Sequence, residues 1–260
     1  LNEAFAPVYD SVSKQYRGSI TGLEEDTEYE VTARLKSKTG PVIQRRATVK
    51  TESSNPNIAK TLKLSEIYNG SGQLMLSGLN GESSGWIKVI CDTEDIIDAK
   101  QNYLEAVLID NSSYLIVEGL KIRGGERYGI NVSDNCSNIR ISNCDISGWG
   151  RLGVLNETEG AYIKDGAKVN YDAGILLLNA DNVTVERCYI HKSNAKTNAW
   201  HSKTWEDVHP KGSCGIYYSV KDKVIIRYND IIGTNSNRFN DSIEGANNDS
   251  KLGGAAKNTD

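Results

Sequence analysis

The chain has 260 residues, which is enough for one large domain or for a large domain with a small companion. Its 30 basic and 34 acidic residues give a net charge of -4 without a long basic block, which argues against a nucleic-acid partner. No apolar run approaches the roughly 20 residues of a membrane-spanning helix, and five cysteines without CxxC spacing argue against a zinc site or a dense disulfide framework. We therefore expect no membrane insertion and no structural metal.

The first pattern, in residues 17–52, is an alternation of apolar and polar residues in two runs joined by the turn sequence SKTG. It predicts an antiparallel hairpin. The letters GLEEDTEYEVTARL and ATVKT resemble the closing strands of a fibronectin type III module, including the spacing of Leu23 and Tyr29. Such a module has seven strands in about 100 residues, and only its second half is recognised. We assign residues 1–55 to a partial module, a small antiparallel β-sandwich-like segment that acts as a spacer.

From residue 57 onward, short β-branched runs alternate with turns rich in Gly, Asn, Asp and Ser, and no segment keeps a helical period over three turns. One template recurs through this region. Its three apolar columns, each in chain order, are Val107, Ile130, Ile175, Ile216 and Ile243; Leu115, Ile139, Val183 and Val224; and Ile122, Ile146, Ile190 and Ile231. A fourth column, two residues before the third, holds Leu120, Cys144, Cys188 and Asn229.

The shortest repeat, from Val107 to Ile130, is 23 residues long. This length holds three short strands with tight turns and leaves no room for a crossover helix. Successive repeats must therefore wind as stacked coils about 4.8 Å apart, with Ile, Val and Leu in the interior. In this arrangement Cys144 and Cys188 are core thiols, and the amide of Asn229 satisfies backbone groups at a turn.

The repeats YGINVSDNCSNIRISNCDI and GILLLNADNVTVERCYI resemble those of right-handed parallel β-helix proteins of the pectate-lyase-like (pectin lyase fold) superfamily. The resemblance covers residues 60–260 and implies an all-β fold, so we assign residues 56–260 to a right-handed parallel β-helix. It further implies a carbohydrate-active bacterial protein that is secreted or held at the cell surface, and we expect a monomer. Because the sequence stops where another strand is due, we expect further coils beyond Asp260.

Two neighbouring coils are much longer than the others. There are 45 residues from Ile130 to Ile175 and 41 from Ile175 to Ile216, against 27 from Ile216 to Ile243. The extra residues fall at one corner, and equivalent positions on adjacent coils are neighbours, so the two insertions should wall a groove that suits a polysaccharide. The predicted substrate-binding residues are Trp149, Arg151, Tyr171, Trp200, His201, Trp205, Arg238 and Asn240. The alternative for the tryptophans is that they pack the loops onto the coil.

Two acidic residues stand just before predicted strands, Asp172 three residues before Ile175 and Asp241 two residues before Ile243. Their coils are separated by one turn, so their carboxyls can reach the spacing of an inverting glycosidase, about 6.5–9.5 Å. One carboxyl would protonate the leaving oxygen and the other would activate water. Glu244 can replace Asp172 in this pair. The β-helix polygalacturonases also carry acidic residues before such a strand, but their Asp-Asp pair and their Gly-His-Gly and Arg-x-Lys motifs are absent from this sequence.

Two other functions stay open. A polysaccharide lyase would abstract the C5 proton of a uronic acid with His209 or Lys211, helped by His201 or Arg238. Only a lyase would need Ca²⁺, whose candidate ligands are Asp241, Glu244, Asn247, Asn248 and Asp249. The third function is a non-catalytic glycan-binding surface protein, which needs the aromatic residues and no carboxylate pair. We expect a glycoside hydrolase without a cofactor, because the register explains the two aspartates whereas the lyase base follows from composition alone.

Overall fold

The computed structural model describes residues 7–11, 14–18, 20–36, 39–51, 53–158, 161–169, 172–194, 213–220, 223–233 and 243–245. The chain divides into two units, Leu1–Pro56 and Asn57–Asp260. Across the described ranges, no helix has the length and apolar character needed to cross a membrane.

The N-terminal unit contains two antiparallel hairpins. Strands β1 (Val8–Asp10) and β2 (Gln15–Arg17) form the first, and β3 (Glu28–Leu35) and β4 (Ile43–Lys50) form the second. All eight residues of β3 have a partner in β4. The predicted hairpin is therefore confirmed, while the fibronectin type III resemblance stays a prediction.

The larger unit is built almost entirely of short strands. In chain order they are β5 (Ile58–Lys63), β6 (Leu74–Ser77), β7 (Trp86–Ile90), β8 (Ile97–Asp98), β9 (Glu105–Asp110), β10 (Ser113–Glu118), β11 (Lys121–Arg123), β12 (Tyr128–Val132), β13 (Ser137–Ser142), β14 (Asp145–Ser147), β15 (Val154–Asn156), β16 (Ala161–Lys164), β17 (Ala167–Lys168), β18 (Ala173–Leu178), β19 (Asp181–Glu186), β20 (Tyr189–His191), β21 (Cys214–Ser219), β22 (Val224–Arg227), β23 (Asp230–Ile232) and β24 (Ile243–Gly245). A short helix, α1 (Leu64–Ile67), follows β5 and buries Leu64 in the core.

Three parallel sheets extend through this unit. Sheet 1 has the order β5-β7-β10-β13-β19-β22, sheet 2 the order β8-β11-β14-β20-β23, and sheet 3 the order β6-β9-β12-β18-β21-β24. The chain visits sheet 3, sheet 1 and sheet 2 in turn with β9, β10 and β11, and then returns to sheet 3 with β12. In the first coil α1 stands where later coils have a strand of sheet 2. This confirms an all-β stack of parallel coils.

The three predicted apolar columns are confirmed residue by residue. Val107, Ile130, Ile175, Ile216 and Ile243 are successive partners in sheet 3. Leu115, Ile139, Val183 and Val224 are partners in sheet 1, and Ile122, Ile146, Ile190 and Ile231 are partners in sheet 2. Apart from Ile231 and Ile243, all of these residues are buried. In-register pairing therefore stacks similar side chains from successive coils on one another, and these stacks form one continuous core.

The fourth column also agrees with its prediction. Cys144 and Cys188 are buried free thiols in the core. Asn229 accepts the N–H of Cys188 at Oδ1 and donates Nδ2–H to the carbonyl of Val185, both at 2.9 Å. The core thiols and the amide that satisfies backbone groups are both confirmed.

The tight turn between sheets 1 and 2 holds a left-handed residue in four coils. Gly119, Asn143, Arg187 and Tyr228 have φ values of 74°, 53°, 53° and 58°. Glycine adopts this conformation freely and asparagine tolerates it, whereas other residues do so at a cost of about 1–2 kcal/mol. The turn at Tyr228 is therefore occupied by a residue that the local backbone does not favour.

Candidate sugar-binding face of sheet 3

The two long insertions leave the coil at the same corner, between sheet 2 and sheet 3. The first connects β14 to β18 and the second connects β20 to β21, and each strand of the first coil pairs with its counterpart in the second. Within the first insertion, β15, β16 and β17 form a three-stranded antiparallel sheet. Most of the second insertion lies outside the described residues. Insertions from two adjacent coils therefore begin at the end of sheet 2 and end at the start of sheet 3, beside one edge of the outer face of sheet 3.

Asp172, at the end of the first insertion, is a fully buried carboxylate between two arginines. Its Oδ2 accepts the backbone N–H and the Nε–H of Arg151, and its Oδ1 accepts Nη2–H of Arg151 and Nε–H of Arg127, each at 3.0 Å. Burial acts to lower the pKa of Arg151, but the hydrogen bonds and the charge of Asp172 outweigh it and raise that pKa. Both oxygens of Asp172 are engaged and shielded from water. This corrects its assignment to a catalytic pair, because Asp172 fastens the insertion to the coil.

Trp149 and Arg151, which were predicted to line the groove, are also buried. Trp149 lies in the hydrophobic core and packs closely against Gly174. A Cβ atom added at Gly174 would lie only 3.2 Å from Cζ2 of Trp149. Arg151 also donates to the carbonyls of Lys164 and Lys168, at 3.4 and 3.0 Å. Both assignments are therefore corrected. Trp149 packs the insertion onto the coil, and Arg151 ties together the two ends of the insertion.

Glu244 is the register partner of Tyr217, one residue after Ile243 in the sheet 3 column. The other predicted site residues, Tyr171, Trp200, His201, Trp205, His209, Lys211, Arg238, Asn240 and Asp241, lie outside the described residues, as do the calcium candidates Asn247, Asn248 and Asp249. Their roles stay predictions. Within the part of the chain that the structure describes, no group of three or more His, Cys, Asp or Glu side chains is placed to hold a metal ion.

Strand β9 also carries a buried carboxyl that sequence reasoning missed. Glu105 is 8% exposed, and its Oε1 accepts Nε2–H of Gln73 at 2.9 Å. Burial raises the pKa of Glu105, although hydrogen bonds from Asn131 and Gln73 act in the opposite direction. The pKa of its register partner Tyr128 is also raised, chiefly by burial. Glu105 therefore holds a proton more readily than an exposed glutamate.

A sequence signal for Glu105 exists in the repeat itself. Glu105 precedes Val107 by two residues, just as Asp241 precedes Ile243. The residues at the same offset in the intervening coils are Tyr128, Ala173 and Cys214, which are successive register partners of Glu105. The sequence offset alone therefore selects Glu105 and Asp241 as acidic residues at one position of the repeat.

Replacing Glu105 with Gln should change how stability depends on pH. Because the pKa of Glu105 is raised by folding, the folded protein binds this proton more tightly than the unfolded chain, where glutamate titrates near a pKa of about 4.3. Wild-type stability should therefore fall as the pH rises from that value through the higher pKa of the folded state. The variant lacks this loss, so its free energy of unfolding relative to wild type should increase over the same range.

Urea unfolding at a series of pH values measures this change in the free energy of unfolding, with Glu157→Gln at an exposed position as the control. A difference that does not vary with pH would contradict the prediction.

The stacked coils and parallel sheets define the class of protein, a β-helix with one sheet face bordered by loops. A family model described as the right handed beta helix region matches residues 105–251, which is more than half of the chain. The chain therefore belongs to the right-handed β-helix family. A search of curated proteins gives no match, and neither does a search of solved structures.

Proposed function

We propose that the protein is a secreted or cell-surface enzyme that degrades a polysaccharide bound along the outer face of sheet 3. The observation that carries this proposal is that the insertions of two adjacent coils border the same sheet face. Each coil lengthens that face by about 4.8 Å, so several coils offer room for several sugar units. The right-handed β-helix, the fold of this chain, is also common among polysaccharide-degrading enzymes.

Hydrolysis by two carboxyls is the reaction we favour. Because Asp172 is engaged by its arginines, the pair we propose is Asp241 with Glu244. Asp241 and Glu244 stand three residues apart in the sequence, and the pair would need the carboxyl spacing of about 6.5–9.5 Å that an inverting glycosidase uses. One carboxyl would protonate the leaving oxygen while the other takes a proton from the attacking water. The enzyme would act as a monomer and would require no cofactor.

Glu105 lies too far along the face to join this pair. Four steps between adjacent strands lead from β9 to β24 in sheet 3, which corresponds to about 19 Å. Glu105 is also buried and its Oε1 is engaged by Gln73, so we propose no catalytic role for it.

The test is an assay of the whole chain against a panel of neutral and acidic polysaccharides. New reducing ends and the ultraviolet absorbance of an unsaturated product are recorded together. A hydrolase releases reducing ends without new absorbance, whereas a lyase produces both. Asp241→Asn and Glu244→Gln should each lower the rate about 10²–10⁴-fold, and the control Asp134→Asn, at an exposed position on another coil, should leave it unchanged.

Each other outcome points to a different function. New absorbance that depends on His209 or Lys211 would replace the hydrolase with a lyase, and its loss on chelation would indicate Ca²⁺. Binding without either signal would leave a glycan-binding surface protein. Unchanged hydrolysis by both carboxyl variants would contradict the proposed pair.

A further inference from the structure

The outer face of sheet 2 carries a second group of side chains suited to sugars, and it is a different face from that of sheet 3. Lys121, Asp145, Tyr189 and Asp230 are successive register partners in one outward column. Two residues further along the strands, the next outward column contains Arg123, Ser147, His191 and Ile232. The core column of Ile146 and Ile190 runs between these two columns, so both point away from the core.

Tyr189 and His191 form a stacked pair on this face. Their ring centroids are 3.9 Å apart and the ring planes differ by 19°. Nε2 of His191 lies 2.8 Å from Oδ1 of Asp145 on the preceding coil. His191 is 8% exposed and its Nδ1 has no hydrogen-bond partner among the described residues, whereas Tyr189 is 39% exposed. The histidine therefore supports one face of the tyrosine ring and leaves a large part of the ring open to solvent.

Two exposed carboxylates flank this ring. Asp145 and Asp230 are the register partners of Tyr189 on either side, each about 4.8 Å away along the sheet. Their backbones are about 10 Å apart, a distance that a hydrolytic pair could span. However, Oδ1 of Asp145 is already engaged by His191, and Tyr189 stands between the two carboxylates in the column. The arrangement fits binding and does not fit cleavage.

Tyr228 adds a second aromatic surface at the turn that leads into β23. It is 73% exposed and lies in the left-handed region of the tight turn. The guanidinium carbons of Arg187 and Arg227 lie 5.6 and 5.8 Å from its ring centroid. The fold therefore keeps an exposed aromatic ring two residues before Asp230, at a position where glycine or asparagine would fit the backbone better.

We propose that this face, defined by Asp145, Tyr189, Tyr228 and Asp230, is a binding site for an uncharged glycan and takes no part in bond cleavage. The C–H face of a sugar ring packs on an aromatic ring, and carboxylates accept hydrogen bonds from its hydroxyls. The same carboxylates repel uronic acids. Lys121 is paired with Glu94, and Arg187 and Arg227 beside Tyr228 are both paired with Glu186. The ligand class is therefore a neutral polysaccharide.

Affinity electrophoresis of the whole chain tests this proposal, with gels that contain β-glucan, xylan, galactomannan or polygalacturonate. At least one neutral polymer should retard the wild-type protein, and Tyr189→Ala should weaken that binding about twofold to tenfold. Asp230→Asn keeps the size of the side chain and should also weaken binding. The matched control is Tyr103→Ala, which removes a tyrosine that is 45% exposed elsewhere on the coil.

This result can be separated from that of the polysaccharide assay. Asp241→Asn removes the proposed cleavage without changing the sheet 2 face, so it should bind neutral polymers as the wild type does. No retardation by any neutral polymer would overturn the proposal. Retardation that is equal in wild type, Tyr189→Ala and Asp230→Asn would also overturn it, as would stronger binding to polygalacturonate than to every neutral polymer.

Discussion

Asp172→Asn is expected to lower the free energy of unfolding by about 3–5 kcal/mol. Asparagine has nearly the same shape as aspartate, but it leaves the charges of Arg127 and Arg151 without their counterion. The side chain of Arg151 is only 7% exposed, so water cannot replace the lost carboxylate there. Removing one member of a buried ion pair costs more than the pair contributes, because the remaining charge stays desolvated.

Urea unfolding followed by far-ultraviolet circular dichroism measures this loss. The control is Asp165→Asn, which breaks an ion pair between Lys164 and a 73% exposed carboxylate in the same insertion. That exposed pair should contribute less than about 1 kcal/mol. Comparable small losses in both variants would show that Asp172 is not the fastening point of the insertion.

Trp149→Ala is expected to destabilise the protein by about 3–5 kcal/mol. The indole fills the corner between sheets 2 and 3 beside Gly174. A side chain at position 174 would lie too close to this indole. Truncation leaves a cavity that the closely stacked coils cannot readily fill, so the lost contacts add to the lost transfer energy.

Thermal and urea unfolding report this change, and Trp149→Phe serves as the comparison because it keeps an aromatic ring in the corner. The phenylalanine variant should lose clearly less stability than the alanine variant. The prediction would be contradicted if the Trp149→Ala protein kept wild-type stability but no longer bound polysaccharide. That result would assign Trp149 to sugar stacking.

The repeat made most of the coil predictable from sequence. Parallel strands that stack in register put Ile130, Ile175 and Ile216 at equivalent places, so the period in the sequence is the period of the structure. The same logic predicted the buried thiols and the turn amide of Asn229. These predictions succeed because each depends on a position within the repeat.

The site was less predictable because insertions do not repeat. The sequence places Asp172, Trp149 and Arg151 at a corner, but it does not show whether a side chain at the base of a loop points outward or inward. All three are buried, and two of them form one ion cluster. Glu105 was missed for the opposite reason. Its place in the repeat is regular, but burial and contact with Gln73 set its chemistry, and Gln73 is 32 residues away in sequence.

The sheet 3 column keeps its alignment while the chain between its members varies from 23 to 45 residues. Loop length at the corner is therefore uncoupled from strand pairing. Evolution or an engineer can exchange the outer part of a loop at this corner and leave the scaffold intact, provided that buried anchors such as Trp149 and the Arg151–Asp172 ion pair are kept. Two relatives with identical frameworks can then differ in specificity through this one edge, and a loop transplanted from one to the other should carry its preference with it.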